Sequence, residues 1–375
     1  MRLLEYESKE IFKRYGIPIP DGRLASTKDE VLEMAQAGPV VLKAQLPIGG
    51  RGRAGLIAVC DSAEEAKRKS DELLGKKVES YEIDGLLVEP KVDIEEELYL
   101  SIAVDRSNRD IVLLASREGG IEIEELAREN PSAINRVKMR RELNDFESRE
   151  IASRLGFTGK NLLSFSSIVT KLHAIFYEFD CTLAEINPLV MTRDGFVALD
   201  AKIELDDNAL FRHKDLKVEK RFTNELEEEA GKAGLFYVAL DGDIGIIGNG
   251  AGMVMATLDM VKLSGGRPAN FCDIGGGASP ERVAKAIEIV LSDEKVKTIF
   301  MNIFGGITRC DEVAKGVTET LDRMENELAK KIGLVIRMIG TKEEEGRAIL
   351  QAKGMETIDD MEEGAKKAVA LSRGY

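Results

Sequence analysis

Two acids, an amide and a lysine crowd into one short stretch. Ala184-Glu185-Ile186-Asn187-Pro188-Leu189 is followed, across Arg193-Asp194-Gly195, by Leu199-Asp200-Ala201-Lys202. Asp-Gly between apolar runs predicts a hairpin. With Asp194-Gly195 as the turn, Arg193 pairs with Phe196 and Leu189 with Asp200. Alternation then places Glu185, Asn187, Asp200 and Lys202 on one face, and Ile186, Val190, Val197 and Leu199 on the other. Burying four such polar groups without partners is costly. Oxygen donors of this kind suit Mg²⁺, which takes one or two protein ligands together with substrate phosphates. An ordinary solvent-facing sheet side is the alternative that the same residues allow.

A second candidate is the run from Lys43 to Gly55, in which Lys43 ends a strand-like segment and Gly49-Gly50-Arg51-Gly52-Arg53 follows. Glycines let backbone N–H groups approach anionic oxygens, and the cations add charge. The spacing is not that of a Walker A loop. Phosphate binding and a plain surface turn are both open on these residues. A third set comprises Gly248-Asn249-Gly250-Ala251-Gly252, Gly275-Gly276-Gly277-Ala278-Ser279 and Gly305-Gly306-Ile307-Thr308-Arg309. Each follows a strand-like run and precedes a helical one. In open parallel sheets, ligands bind beyond the carboxyl ends of the strands, where helix N-termini favour anions. Met253 breaks the GxGxxG fingerprint.

The elements that must carry these residues divide the chain in two. In the first half, Thr27-Lys28-Asp29-Glu30 and Ser62-Ala63-Glu64-Glu65 predict helix starts by the capping-box pattern. Val40–Leu42 and Leu56–Val59 read as strands, and Glu97–Val104 with Ile111–Ala115 as a hairpin, which together predict an α+β domain. Residues 215–234 are charged, and read as a solvated, partly helical connection. From Gly242 onward, strand-like runs at 244–247, 269–274, 298–304, 334–339 and 355–358 alternate with helical stripes, which predicts a parallel α/β sheet.

The 375 residues carry a formal charge of −14, with 43% hydrophobic residues, so two packed domains are feasible and a sequence-independent grip on nucleic acid is disfavoured. No apolar run reaches the ~18 residues of a membrane span, and the opening residues are charged rather than signal-like. Cys60, Cys181, Cys272 and Cys310 are far apart, form no CxxC and read as packed; a cytoplasmic location is expected. Only two histidines are present. His173 lies in a helical apolar context and reads as structural, and His213 reads as exposed.

Several segments, taken in order, carry a resemblance to a known family. They are Leu4-Glu5-Tyr6 with Tyr15-Gly16-Ile17-Pro18, Gly49–Gly52, Val104-Asp105-Arg106, Glu185–Leu189, Asn208–Arg212, Tyr237–Gly242, Asn249–Gly252, Asp273–Ala278 and Asn302–Ile307. The chain resembles the β subunits of ADP-forming succinate–CoA ligases nearly from end to end. The resemblance implies an N-terminal ATP-grasp domain over 1–225 and a C-terminal flavodoxin-like domain over 235–375. It implies that Lys43, Gly50, Arg51, Gly52, Glu89, Val92 and Glu97 surround the nucleotide, and that Asn187 and Asp200 hold Mg²⁺. Glu185 would orient a phosphohistidine, and Asn249, Gly306, Ile307 and Thr308 would face the carboxylate substrate. The family reaction joins a carboxylate to CoA at the expense of ATP, with phosphate travelling on a histidine. Neither histidine here lies in a glycine-rich or acidic motif, so that histidine is expected from an α subunit, which would also carry most of the CoA site. The competing readings are a related ligase such as malate–CoA ligase, a non-catalytic nucleotide or acyl-CoA binder, and a nicotinamide dehydrogenase. The dehydrogenase is disfavoured by the broken fingerprint.

Overall fold

The computed structural model describes residues 1–78, 81–121, 123–216, 225–323 and 332–374. The chain forms two compact units, residues 1–221 and 222–375. The division falls in the charged connection, of which 217–224 lie outside the described residues and Glu225–Lys232 is helical.

The first unit holds two principal antiparallel sheets. One runs in the order Arg23–Ala25, Leu86–Pro90, Val40–Ala44 and Ile57–Cys60. The other runs Gly195–Ala198, Cys181–Thr192, Glu96–Asp105, Asp110–Ser116 and Asn135–Met139, with Lys202–Leu205 also paired to Cys181–Thr192. Residues 91–95 join the two. Local chemistry starts the helices as expected. Thr27 accepts the Glu30 N–H at 3.3 Å, while the Glu30 carboxylate accepts the Thr27 N–H at 3.0 Å. Ser62 caps the helix Ala63–Leu73 in the same way, but the Glu65 carboxylate turns to the Asp61 N–H instead of completing the box. The helix Gly159–Glu178 lays Phe165, Ile168, Leu172, Ile175 and Phe176 on the larger sheet. The Phe157, Phe165 and Phe196 rings cluster there, Phe196 edge-to-face with the other two, with centroids 5.1–5.7 Å apart.

The acidic hairpin forms with a different register. Thr192 pairs with Gly195, so Arg193 and Asp194 make the turn and Leu189 faces Ala198. Against the neighbouring strand, Ile186 pairs with Leu100 but Leu189 with Leu98. That extra residue is a bulge, and it flips the alternation beyond Pro188. Ile186 and Val190 are buried as expected, but Leu189, Phe196 and Ala198 enter the core as well, while the expected Val197 and Leu199 stay half-buried. Alternation alone could not show this, because a bulge is set by pairing with a strand some 90 residues away.

The second unit is a parallel sheet with one antiparallel edge. Its strands run Phe236–Ala239, Asn270–Asp273, Ile244–Gly248, Thr298–Gly305, Gly333–Gly340 and Thr357–Ile358. Without the antiparallel first strand the order is 2-1-3-4-5, the flavodoxin-like winding. The edge strand Phe236–Ala239 is a feature that the sequence reading did not pick out. Its alternation is plain, with Phe236 71% and Val238 50% exposed while Tyr237 is buried.

Candidate functional site

Lys43 is the penultimate residue of the strand Val40–Ala44, Glu89 lies opposite Val41 on the adjacent strand, and Arg51 belongs to the glycine loop that follows. The Lys43 ammonium lies 2.9 Å from Glu5 and 2.8 Å from Glu89, and it donates to the Leu199 carbonyl. Lys9 repeats that set, at 2.9 Å from Glu5, 2.5 Å from Glu89 and 2.7 Å from the Leu199 carbonyl. Arg51 reaches Glu5 at 2.6 Å and Asp200 at 3.1 Å, and donates to the Ala44 carbonyl. Three cations and three carboxylates thus form one network, of which Asp200 is the most exposed member at 35%.

Charge balance decides the protonation of this network. Burial pushes the Glu5 carboxyl up, but Lys43, Lys9 and Arg51 outweigh it and hold the group well below the usual carboxylate range. Burial pulls Lys43 down, yet Glu5, Glu89 and Asp200 raise it above an ordinary lysine. Lys9 is lowered, with burial the leading cause.

Beside the network, Glu185 sits directly opposite Lys202 and accepts from the Tyr99 hydroxyl at 3.2 Å. Burial raises its carboxyl, while Lys202 and Tyr99 work against that rise. Tyr99 is itself 2% exposed, and burial raises its phenol, so it stays a donor at neutral pH. Asn187 turns to the loop after Ser116. Its Oδ1 accepts the Gly120 N–H and its Nδ2 donates to the Ile121 carbonyl, both at 2.9 Å. The same loop packs on Glu97, since a Cβ at Gly120 would meet Glu97 Oε2 at 2.2 Å. Val92 lies half-buried on the connection between the sheets. Gly50 adopts a φ of +65°, and Gly52 borders open space.

Sequence reasoning missed Glu5, Lys9 and Tyr99. Glu5 and Lys9 are an i, i+4 pair on the helix Glu5–Arg14, a signal that reads equally as an exposed ion pair. No group of three or more His, Cys, Asp or Glu side chains suited to a metal occurs among the described residues. Asn187 and Asp200 are two hard oxygen donors. The Asn187 oxygen keeps a second lone pair beside its bond from Gly120, and Asp200 is partly exposed, so the pair fits the small protein share of a Mg²⁺ shell.

In the second unit the three glycine loops meet at one sheet edge. The Asp273 carboxylate accepts the Gly250 N–H at 2.6 Å and the Gly275 N–H at 2.7 Å. Thr308, 1% exposed, accepts the Gly277 N–H at 3.0 Å. Asn249 spends both ends of its amide on the Phe304 backbone, at 2.8 Å each. This bond spans the first and third parallel strands, which is the switch point where such sheets bind ligands. Ile307, at 88% exposure, stands at the rim of the third loop.

His173 is structural as expected, buried with Nε2 2.8 Å from the Arg140 carbonyl. His213 is not exposed: its side chain is 11% accessible, bonded to Asp180 at 2.8 Å and stacked on Phe179. All four cysteines are buried and unpaired. Among the described residues no helix is long and apolar enough to cross a membrane.

The sequence matches the ATP-grasp domain family over residues 2–191 and the CoA-ligase family over residues 247–371. Among curated relatives, the succinate–CoA ligase [ADP-forming] subunit beta of Ignicoccus hospitalis is 48% identical, with all of both chains covered. The protein of that name from Pyrobaculum aerophilum is 47% identical, again over 100% of each chain. Among solved structures, the ATP citrate lyase of Methanothrix soehngenii aligns with a TM-score of 0.71 at 19% identity, covering 100% of this chain and 99% of that one, which is a likeness of fold.

Proposed function

The chain belongs to the family of β subunits of ADP-forming succinate–CoA ligases, and from that premise we propose how its residues divide the work. It is the nucleotide-binding subunit of a cytoplasmic acid–thiol ligase that converts ATP, succinate and CoA to ADP, phosphate and succinyl-CoA. One observation supports the nucleotide site above others: Arg51 of the glycine loop and Asp200 of the acidic hairpin, two motifs far apart in sequence, lie 3.1 Å from each other. Cations that cradle phosphates and the oxygen donors of a cation belong together at such a distance.

In this reading Lys43, Gly50, Arg51 and Gly52 bind the phosphates, and Glu89, Val92 and Glu97 border the nucleotide. Asn187 and Asp200 hold Mg²⁺, which when bound neutralises phosphate charge and orients the transferred group. Glu185 accepts a hydrogen bond from the imidazole of a phosphohistidine supplied by an α subunit and so orients it. The phosphoryl group then passes from that histidine to the succinate carboxylate. The CoA thiolate attacks the resulting acyl phosphate, forming the thioester and releasing phosphate. Asn249, Gly306, Ile307 and Thr308 border this second step. The chain assembled with an α-type partner is expected to release ADP faster with succinate than with malate or other acids when CoA is present. A malate rate above the succinate rate would reassign the substrate.

Asp200→Asn is expected to raise the Mg²⁺ concentration needed for half-maximal activity by at least about tenfold. One anionic ligand is lost, while the Asn oxygen can still accept the Ala201 N–H that Asp200 accepts at 2.7 Å. The fold should therefore persist. A Mg²⁺ titration of activity, with a melting curve as control, checks it, and an unchanged requirement would count against the metal role.

A further inference from the structure

Glu5 stands outside the nucleotide-site residues named so far, yet it is the hub of their charge network. Its side chain is 1% exposed and touches three cations. Oε1 lies 2.9 Å from both the Lys9 and Lys43 ammoniums, and Oε2 lies 2.6 Å from Arg51. Lys43 and Arg51 come from a strand end and a loop, and they share no other carboxylate among the described contacts. Glu89 reaches Lys43 and Lys9 but not Arg51, and Asp200 reaches Arg51 alone. The N-terminal helix Glu5–Arg14 supplies the anion that sets these two cations side by side. We propose that Glu5 is a positioning residue for phosphoryl transfer: a fixed carboxylate that orients Lys43 and Arg51 toward the nucleotide phosphates. Lys9 balances its charge from behind.

The proposal rests on the nucleotide site described above, and it separates binding from chemistry. Attraction of an anionic nucleotide to Lys43 and Arg51 depends on net charge. Transfer depends on where the two cations point, because only interactions that strengthen in the transition state raise the rate. With Glu5→Gln, three cations face two carboxylates, so Mg·ADP should bind no more weakly than to the wild type. Loss of the anchoring carboxylate lets Arg51 and Lys43 drift, and a misplacement of about 1 Å costs on the order of 10²-fold in rate. A residue serving only to hold the fold would instead weaken binding and rate together, in step with stability.

The experiment uses the chain assembled with its α-type partner. Mg·ADP affinity is read by calorimetry, and ATP-dependent phosphorylation of the partner histidine in a single turnover. Glu5→Gln is expected to lower the transfer rate about 10²-fold with an ADP dissociation constant equal to or below that of the wild type. Glu5→Asp retains the charge on a shorter arm, and is expected to recover part of the rate. Should Glu5→Gln fail to fold, Glu5→Gln with Lys9→Met restores charge balance while still withholding the anchor, and the same split is expected. A transfer rate within about threefold of the wild type in either variant would overturn the role of Glu5, as would a loss of ADP affinity that accounts for the whole effect. Failure of the wild-type protein to bind Mg·ADP would overturn the nucleotide site itself, and the proposal with it.

Discussion

Purified without a partner, this chain is expected to show no succinate- and CoA-dependent ATP turnover, and no phosphohistidine after incubation with Mg·ATP. Addition of an α-type subunit should restore both, a change from background to full rate. The reason lies in the two histidines, which are all that the chain has. A phosphoryl carrier needs an imidazole nitrogen that is free to attack and a side chain able to move. His173 is buried, with Nε2 held 2.8 Å from the Arg140 carbonyl and its ring packed 4.7 Å from Tyr177. His213 is bonded through Nε2 to Asp180, and its ring lies flat on Phe179 at 5.8 Å. Using either Nε2 as a nucleophile breaks a half-buried hydrogen bond, at about 0.5–1.5 kcal/mol, and pulls a packed ring from its place. Neither residue belongs to the glycine loops or to the acidic hairpin. Turnover by the isolated chain at the rate of the complex would sink the idea, and so would acid-labile phosphate mapped to His173 or His213.

Gly306→Val is expected to abolish succinate-dependent dephosphorylation of the partner histidine and to spare its phosphorylation by ATP. The loop Gly305–Arg309 follows the strand Thr298–Gly305 and leads into the helix Cys310–Arg323. The first turn of a helix leaves N–H groups without intrahelical partners, and the dipole adds roughly half a positive charge there. A phosphohistidine is strongly anionic and is stabilised at such a place, provided the backbone can be approached. The two glycines of this loop do different work. A Cβ at Gly305 would meet the Thr341 nitrogen at 2.7 Å and Cys310 Sγ at 3.0 Å, so Gly305 is needed for packing. A Cβ at Gly306 meets nothing within 4 Å, and its φ is not in the left-handed region. The fold therefore tolerates valine at 306, and what the side chain obstructs is the approach of a ligand. Gly305→Val serves as the contrast, with lowered melting temperature and loss of both half-reactions. The two half-reactions, measured separately on a Gly306→Val protein of unchanged melting temperature, decide the matter: equal loss of both would refute a role for this loop in the second step alone.

How far the site could be read before folding differs from residue to residue. The fold class was legible because each element carries its own signal: Thr27 and Glu30 start a helix by pairing with each other, and the strand–glycine–helix alternation beyond Gly242 implies a parallel sheet from composition and spacing alone. The same holds for the grouping of Glu185 with Lys202, which needs only a hairpin. The register of that hairpin was not legible. Asp-Gly marks a turn, but its position depends on cross-strand packing, and the turn closes one residue earlier, at Arg193 and Asp194. The bulge at Pro188 arises against Leu98 and Leu100, and no local pattern announces it.

Local pairing, capping and periodicity are short-range properties, and a linear sequence states them in full. From them follow the two-domain organisation, the glycine loops at strand ends and the lack of a histidine in a motif suited to carry phosphate. What only the tertiary structure decided is which charges neutralise one another. In the sequence Glu5 and Lys9 are only an i, i+4 pair of opposite charge, and it is the two strands bearing Lys43 and Glu89 that bring their side chains below 10% exposure. His213 read as solvent-facing until Asp180 and Phe179 enclosed it. In each case the deciding quantity is burial. It turns an indifferent surface charge into one that must be paired, and it is a property of the assembled chain rather than of any segment of it.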